Sequence, residues 1–363
     1  MMKAAPVFMV EIAGSGGICH YTYNLLQHYS RPAVLYTGYP YELAATGPRF
    51  PYRCTFRRFR TNPLKVLAMY RDALRQRPCA VHFQLSQYPG LLLALALAFR
   101  ALGVPVVTTA HNVVSHEERP WHRWVFGALY RLSQRIVVHS AHSRDELASR
   151  FGVDPARLSV IDHGNYMFFL DEARAAQAVE EDGPLRILFF GYIRHYKGLA
   201  VLLEALGRLG PEASDWRLAI VGKPVEPFAP YRALIERHGL AGRVETHLDY
   251  VPLEQVAEHF RRAAVVVLPY LEISQSGVLQ LAYAFGKPVI VTATGGLPEV
   301  VEEGRSGFVV PPGDAQALAE RLQLLLRDGE LRRRLGERAR ELAATRFSWQ
   351  RLAPLNQALY GER

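Results

Sequence analysis

Short runs of consecutive apolar residues recur along the chain, each followed by a stretch in which apolar positions return every three or four residues. In the first half the runs are PVFMVEI (6–12), AVLYT (33–37), AVHFQL (80–85), VPVVTTA (104–110) and RIVVHS (135–140). In the second half they are LRILFFG (185–191), RLAIVG (217–222), RVETHL (243–248), AVVVLPY (264–270) and KPVIVTA (287–293). Unalternating apolar runs predict strands of a parallel sheet covered on both faces, and the intervening period predicts crossover helices. Strands alternating with helices imply right-handed crossovers and a doubly wound α/β sheet.

At 363 residues the chain exceeds one ordinary core, so two such domains are expected. The break falls in the polar, acidic segment 171–184, which ends in Gly-Pro and reads as a linker between domains 1–170 and 185–346. The tail 347–363 follows a charged helix and is expected to pack back on the first domain. Doubly wound domains that face one another bring their strand carboxyl ends, and so their ligand loops, to a shared cleft.

Charge narrows the partners. A net charge of +9 favours an anion: nucleic acid, an acidic membrane surface or a phosphorylated small molecule. No helix-turn-helix, RNA-binding or zinc pattern accompanies the charge, so nucleic acid is not expected. Cys19, Cys54 and Cys79 have no metal-like spacing and suit a reducing cytoplasm. The amino terminus does not read as a signal peptide, and the most apolar run, Leu91 to Phe99, is nine residues where a bilayer crossing takes about 20.

Several loops carry candidate chemistry. Gly14-Ser15-Gly16-Gly17 follows the first strand and opens a helix, where glycines admit a close ligand and free N–H groups face an anion. A dinucleotide fingerprint is incomplete here: Cys19 holds the third glycine place and no acid ends the second strand at Thr37-Gly38. His111 ends the fourth strand, where an imidazole could donate to a sugar hydroxyl or phosphate. Gly191, Arg194, Lys197 and Gly198 place a guanidinium, an ammonium and a helix amino end near one point, which predicts a diphosphate site. In YLEISQSGVLQLAYAFGKPVI (270–290), Gln275, Ser276, Gly277 and Val278 sit at a strand end before a helix and predict a further anion contact. Neither a P-loop nor a persuasive set of metal ligands occurs, so no metal or other cofactor is expected.

In order and spacing these motifs, with GGLPEVVEEGRSGFVVPPGD (295–314), resemble glycosyltransferase family 4, and the resemblance spans nearly the whole chain. It implies two Rossmann-like domains facing a central cleft (the GT-B fold) and retaining transfer of a sugar from a nucleotide-diphosphate sugar. Arg194 and Lys197 would hold the donor diphosphate, with the Gly16-Gly17 backbone meeting it from the other domain. His111 would contact the donor sugar, and Gly191, Gly222, Tyr250 and Val251 would line the nucleotide. Members of this family usually carry two glutamates seven residues apart; here Glu272 is followed at that spacing by Gln280, an amide in place of the ribose-binding acid.

The acceptor side has its own signal. Residues 49–77 hold nine Arg or Lys and one acid, Asp72, interleaved with Phe50, Tyr52, Phe56 and Phe59. In 119–135, Trp121, Trp124, Val125, Ala128, Leu129 and Leu132 share a helical stripe, either core packing or a membrane-facing surface. Basic, aromatic-bearing amphipathic segments bind anionic lipid. The expected acceptor is a lipid-linked glycan in envelope or exopolysaccharide synthesis, met at the inner membrane face. A soluble acceptor and a catalytically degenerate sugar-nucleotide binder are the alternatives.

Overall fold

The computed structural model describes residues 4–57, 62–85, 88–113, 120–173, 183–210, 213 and 215–361. Arg58, Phe59 and Arg60 of the basic segment, Arg119, and most of the expected linker lie outside the described residues.

The first unit comprises the chain up to Gly164 together with Phe347–Arg363; the second comprises Asn165–Arg346. The first holds strands β1 (Val7–Val10), β2 (Ala33–Gly38), β3 (Tyr52–Phe56), β4 (Ala80–Leu85), β5 (Val106–Ala110), β6 (Arg135–Val138) and β7 (Leu158–Val160). Its helices are α1 (Gly17–Gln27), α2 (Pro63–Gln76), α3 (Pro89–Ala101), α4 (Pro120–Leu132) and α5 (Ala141–Phe151). All strand pairs are parallel, in the order β3-β2-β1-β4-β5-β6-β7. Val10 lies opposite Tyr36 on one side and Phe83 on the other, so β1 is enclosed by apolar neighbours.

The second unit holds α6 (Phe168–Ala173), β8 (Leu185–Phe190), α7 (Leu199–Gly207), β9 (Trp216–Val221), α8 (Ala229–Arg237), β10 (Val244–His247) and α9 (Leu253–Arg262). It continues through β11 (Val265–Leu268), α10 (Gly277–Ala284), β12 (Val289–Thr292), α11 (Leu297–Val300), β13 (Gly307–Val310), α12 (Ala315–Arg327) and α13 (Gly329–Ala344). Its sheet is also parallel, in the order β10-β9-β8-β11-β12-β13. The chain leaves β8 toward β9 on one side and β11 on the other, which opens a crevice at the carboxyl end of β8 where ligands bind in such sheets.

Local chemistry sets several helix starts. The Asn62 side chain accepts from the Leu64 amide with Pro63 at the first helical position; the Ser140, Asp314 and Asp328 side chains cap α5, α12 and α13 in the same way. The domain boundary falls at Gly164–Asn165, not after residue 170, because Tyr166 and Phe169 are buried in the second unit, where α6 packs on α9.

After α13 the chain rejoins the first unit through α14 (Trp349–Gln357). The Trp349 indole meets the Tyr21 ring at 5.1 Å, and the Tyr360 hydroxyl lies 2.5 Å from that of Tyr29 and 2.6 Å from His82 Nδ1. Gln357 Oε1 accepts from the Arg31 amide and the Ser30 hydroxyl.

Helix α4 does not bury the stripe that its periodicity suggests. Phe126, Leu129 and Tyr130 turn inward, while Trp121 and Trp124 stand 47% and 78% exposed. The inward face lies nearly half a turn around the helix from the tryptophans, so they are surface residues and Leu129 alone of the stripe is fully buried.

Candidate active site

At the carboxyl end of β8 the backbone turns at Gly191 with φ of 103°. A Cβ built there would come 2.8 Å from Lys197 Nζ and 3.8 Å from Val278 Cγ2, so this glycine leaves room for the lysine to fold back over the strand end. Gly198, also at positive φ, lets the start of α7 lie directly on the Pro269 carbonyl, which no side chain would permit. The Lys197 ammonium is buried 5.3 Å from the centre of the Tyr270 ring. Burial, and then the charge of Arg194, bring its pKa down to about 8; no acidic group among the described residues raises it. A buried cation without a carboxylate to balance it is costly unless an anion arrives from outside.

The first turn of α10 lies on the same spot. Its N-cap residue, Ser276, has no side-chain cap bond; its hydroxyl is instead 3.3 Å from that of Tyr270. The loop before it is pinned by Gly295 and Gly296: the Gly296 amide donates to the Ser274 carbonyl, and Gly295 packs on the Ile273 carbonyl. First-turn amides of a helix have no intrahelical acceptor and carry its positive dipole end. Gly191, Lys197, Ser276, Gly277 and Val278 are thus brought to one place, with half-buried Arg194 adding charge. Gly222 joins them, its φ of 142° allowing it to rest on the Gly191 carbonyl.

The remaining predicted residues spread around this centre. Glu272 is exposed and Gln275 half-buried in the loop before α10. Gln280 is buried, and its Oε1 has no hydrogen-bond partner among the described residues. An orphaned buried acceptor costs about 1–3 kcal/mol, so a donor group supplied by a ligand would be stabilising there. Val251 is buried behind Tyr250, which is 39% exposed.

Within the first unit two expectations need correction. The Gly16 amide is not open to an anion: it donates to Glu42 Oε2 at 2.8 Å, and the same oxygen is 2.9 Å from His20 Nε2. A carboxylate of the protein itself occupies the helix amino end. Gly16 still has a positive φ with open space where a side chain would be, and Gly17 begins α1 behind it.

His111 is 2% exposed, and both its nitrogens are engaged, Nε2 with Gln84 at 2.8 Å and Nδ1 with His139 Nε2 at 3.2 Å. His139 Nδ1–H must donate to the Ile161 carbonyl, so its Nε2 accepts from His111 Nδ1–H. Neutral His111 then needs a donor at Nε2, whereas Gln84 turns its Oε1 there and its NH2 to Met9 Sδ; the set closes with that amide turned over. Burial, and then the neighbouring histidines, hold the His111 pKa well below its usual value. This imidazole is part of a buried polar network, which the strand-end position alone does not reveal. Glu42 and His20 had no sequence signal either, because a contact across 22 to 26 residues is set by tertiary structure.

A doubly wound parallel sheet whose switch point carries a buried lysine, a glycine turn and a helix amino end has the features by which α/β proteins receive phosphate. The comparisons specify which. Residues 171–342 match the family described as "Glycosyl transferases group 1" and residues 15–164 the "Glycosyltransferase Family 4". The D-inositol 3-phosphate glycosyltransferase of Paenarthrobacter aurescens is 31% identical over 300 residues, covering 77% of this chain and 71% of that one. The GDP-mannose:glycolipid 4-beta-D-mannosyltransferase of Xanthomonas campestris is 31% identical over 59% of this chain and 58% of its own. This chain covers 57–66% of the length of three curated relatives, the mannosyltransferase included. Among solved structures, Anabaena HepE in complex with UDP and glucose superposes with a TM-score of 0.79 over 98% of both chains at 19% identity, a likeness of fold. The chain belongs to the group 1/family 4 glycosyltransferases, and its two parallel Rossmann-like sheets are those of the GT-B fold.

Proposed function

We propose that the protein transfers a sugar, with retention of anomeric configuration, from a nucleotide-diphosphate sugar to a hydroxyl of a lipid-linked glycan at the cytoplasmic face of an anionic membrane. The observation that carries the donor half is Lys197, a buried ammonium that no acidic group among the described residues balances, beside the first turn of α10. As the bond from the anomeric carbon to the diphosphate oxygen breaks, negative charge grows on the leaving phosphate. Lys197, Arg194 and the α10 amides neutralise it, while the acceptor oxygen bonds to the same face of the sugar and passes its proton to the departing phosphate oxygen. Glu272 faces the donor sugar in this reading, and Gln280 accepts from a donor hydroxyl. Gly16 and His111 are not assigned to the donor, since their polar groups already have partners. HepE was solved with UDP and glucose, so UDP-sugars are the first donors to try.

The acceptor half is supported by exposed apolar residues set among cations. On α2, Leu64, Leu67 and Leu74 are 72%, 63% and 63% exposed, and exposed Arg71 and Arg75 share their flank. Trp121 and Trp124 do the same on α4 beside Arg123. No helix among the described residues is long and apolar enough to cross a membrane, so the contact would be peripheral. One curated relative acts, by its name, on a glycolipid, and another on D-inositol 3-phosphate; extracted lipid acceptors tested against soluble inositol phosphate separate the two.

Lys197→Ala and Arg194→Ala should each lower turnover on the order of 10²–10³-fold with the circular dichroism unchanged. Turnover equal to wild type in both would overturn the donor assignment.

A further inference from the structure

The chain carries five lysines against thirty-eight arginines, yet the cation buried at the end of β8 is a lysine. For holding a phosphate, arginine offers a forked and permanently charged grip. Lysine offers a compact amine that can shed its proton when buried and then act as a nucleophile. The other lysines of the described residues are placed differently: Lys65 and Lys287 donate to the Cys54 and Arg261 carbonyls, and Lys223 is exposed. Lys197 is 9% exposed, and among the described residues its Nζ has no hydrogen bond and no carboxylate, just the face of Tyr270. Its backbone is firmly held. The Lys197 amide donates to the Arg194 carbonyl and the Gly198 amide to that of His195, while the Tyr196 carbonyl accepts from the Leu271 amide at 2.7 Å. The amine is thus fixed beside the space that Gly191 leaves and the first turn of α10. With its pKa brought down to about 8, about one molecule in ten presents a free amine at pH 7, against about one in 2,500 for an ordinary lysine near 10.4.

We infer that Lys197 is a covalent modification site for small aldehydes that carry a phosphate. The phosphate settles on the α10 amides beside Arg194, and the amine condenses with the aldehyde carbon. This rests on the anion place of the donor reading above and adds a way of switching that place off. The nitrogen lone pair bonds to the carbonyl carbon, both amine protons leave with the carbonyl oxygen as water, and an imine remains. Amine and aldehyde give imine and water, so the step needs no oxidant or reductant. Adduct and donor diphosphate draw on the same cation and the same helix end, so each excludes the other.

Treatment of the whole chain with pyridoxal 5′-phosphate and then borohydride, with the labelled lysines read by peptide mass spectrometry, tests this. At pH 7 Lys197 should take up label about tenfold or more faster than exposed Lys223. Pyridoxal, which lacks the phosphate, should lose that preference. The tightest-binding of UDP, GDP, ADP and dTDP, at ten times its dissociation constant, should slow labelling of Lys197 about tenfold and leave that of Lys223 unchanged. Equal labelling of the two lysines overturns the proposal, as does equal labelling of Lys197 by pyridoxal and its phosphate. If Lys197 takes no label while calorimetry shows a nucleotide bound by wild type and lost from Lys197→Ala, the modification site falls and the donor reading stands. Selective labelling that none of the four nucleotides slows keeps the modification site and removes the donor reading.

Discussion

Acidification from pH 7 to pH 5 should selectively loosen the first unit, because four imidazoles are buried there in neutral form. Burial pushes His82 and His163 down to about 3 and His139 to about 4, and His111 well below the usual range. In the unfolded chain each titrates near 6.5. Between these values the unfolded chain holds more protons, so stability is lost as pH falls through 6.5 and goes on falling until pH 3–4. From pH 7 to 5 His82, His139 and His163 each contribute about 1.8 kcal/mol of loss, about 5.5 together, and His111 adds in the same direction. Glu11 works in the opposite sense. Its carboxylate is buried and shifted upward, chiefly by desolvation and despite bonds from Ala13, Gly14 and Thr37, so it gains a proton in the fold first. One proton over two pH units restores at most about 2.7 kcal/mol. The net loss of about 3 kcal/mol or more compares with a total domain stability of about 5–15. Urea titrations at pH 7, 6 and 5 should show the transition reported by Trp349 moving to lower urea, with that reported by Trp216 in the second unit much less affected. His82→Gln should reduce the pH slope by about one proton. A wild-type slope under about 1.4 kcal/mol per pH unit between pH 6 and 5 would refute the buried neutral histidines.

Affinity for a nucleoside diphosphate should fall as pH rises through about 8, where free Lys197 loses its charge, and Lys197→Arg should abolish that step in calorimetry between pH 7 and 9.5. Leu67→Asp on the exposed flank of α2 should cut flotation with anionic vesicles at low salt several-fold while leaving the unfolding midpoint within a degree or two. Flotation equal to wild type would remove α2 from the membrane reading.

Ten of the thirteen strands among the described residues were read as apolar runs, and the three that were not are all at sheet edges. Strand β3 exposes Tyr52 and Arg53 and β7 is only half-buried, since an edge strand escapes the demand for an apolar face on both sides; β13, Gly-Phe-Val-Val, is apolar and mostly buried and was passed over inside a motif-bearing loop. The cluster around Lys197 was legible for a local reason: Gly191 to Gly198 and Ser276 to Val278 are short segments whose glycines and helix starts dictate their geometry. The first unit's polar contacts were not. Glu42 reaches Gly16 across 26 residues and His111 reaches Gln84 across 27, distances over which spacing says nothing. On α4, counting apolar residues gave weight to two tryptophans that the fold leaves outside.

The crossing from α13 back to α14 means that one unit is interrupted by the whole of the other. On the ribosome, Asn165–Arg346 is synthesised without a break and has everything needed to fold once it emerges. Its companion must wait, with Tyr21, Tyr29 and His82 lacking their partners until Trp349 and Tyr360 have been made. The last dozen or so residues therefore act as a latch on material translated first, and a premature stop shortly before them would release a finished half tethered to an unfinished one.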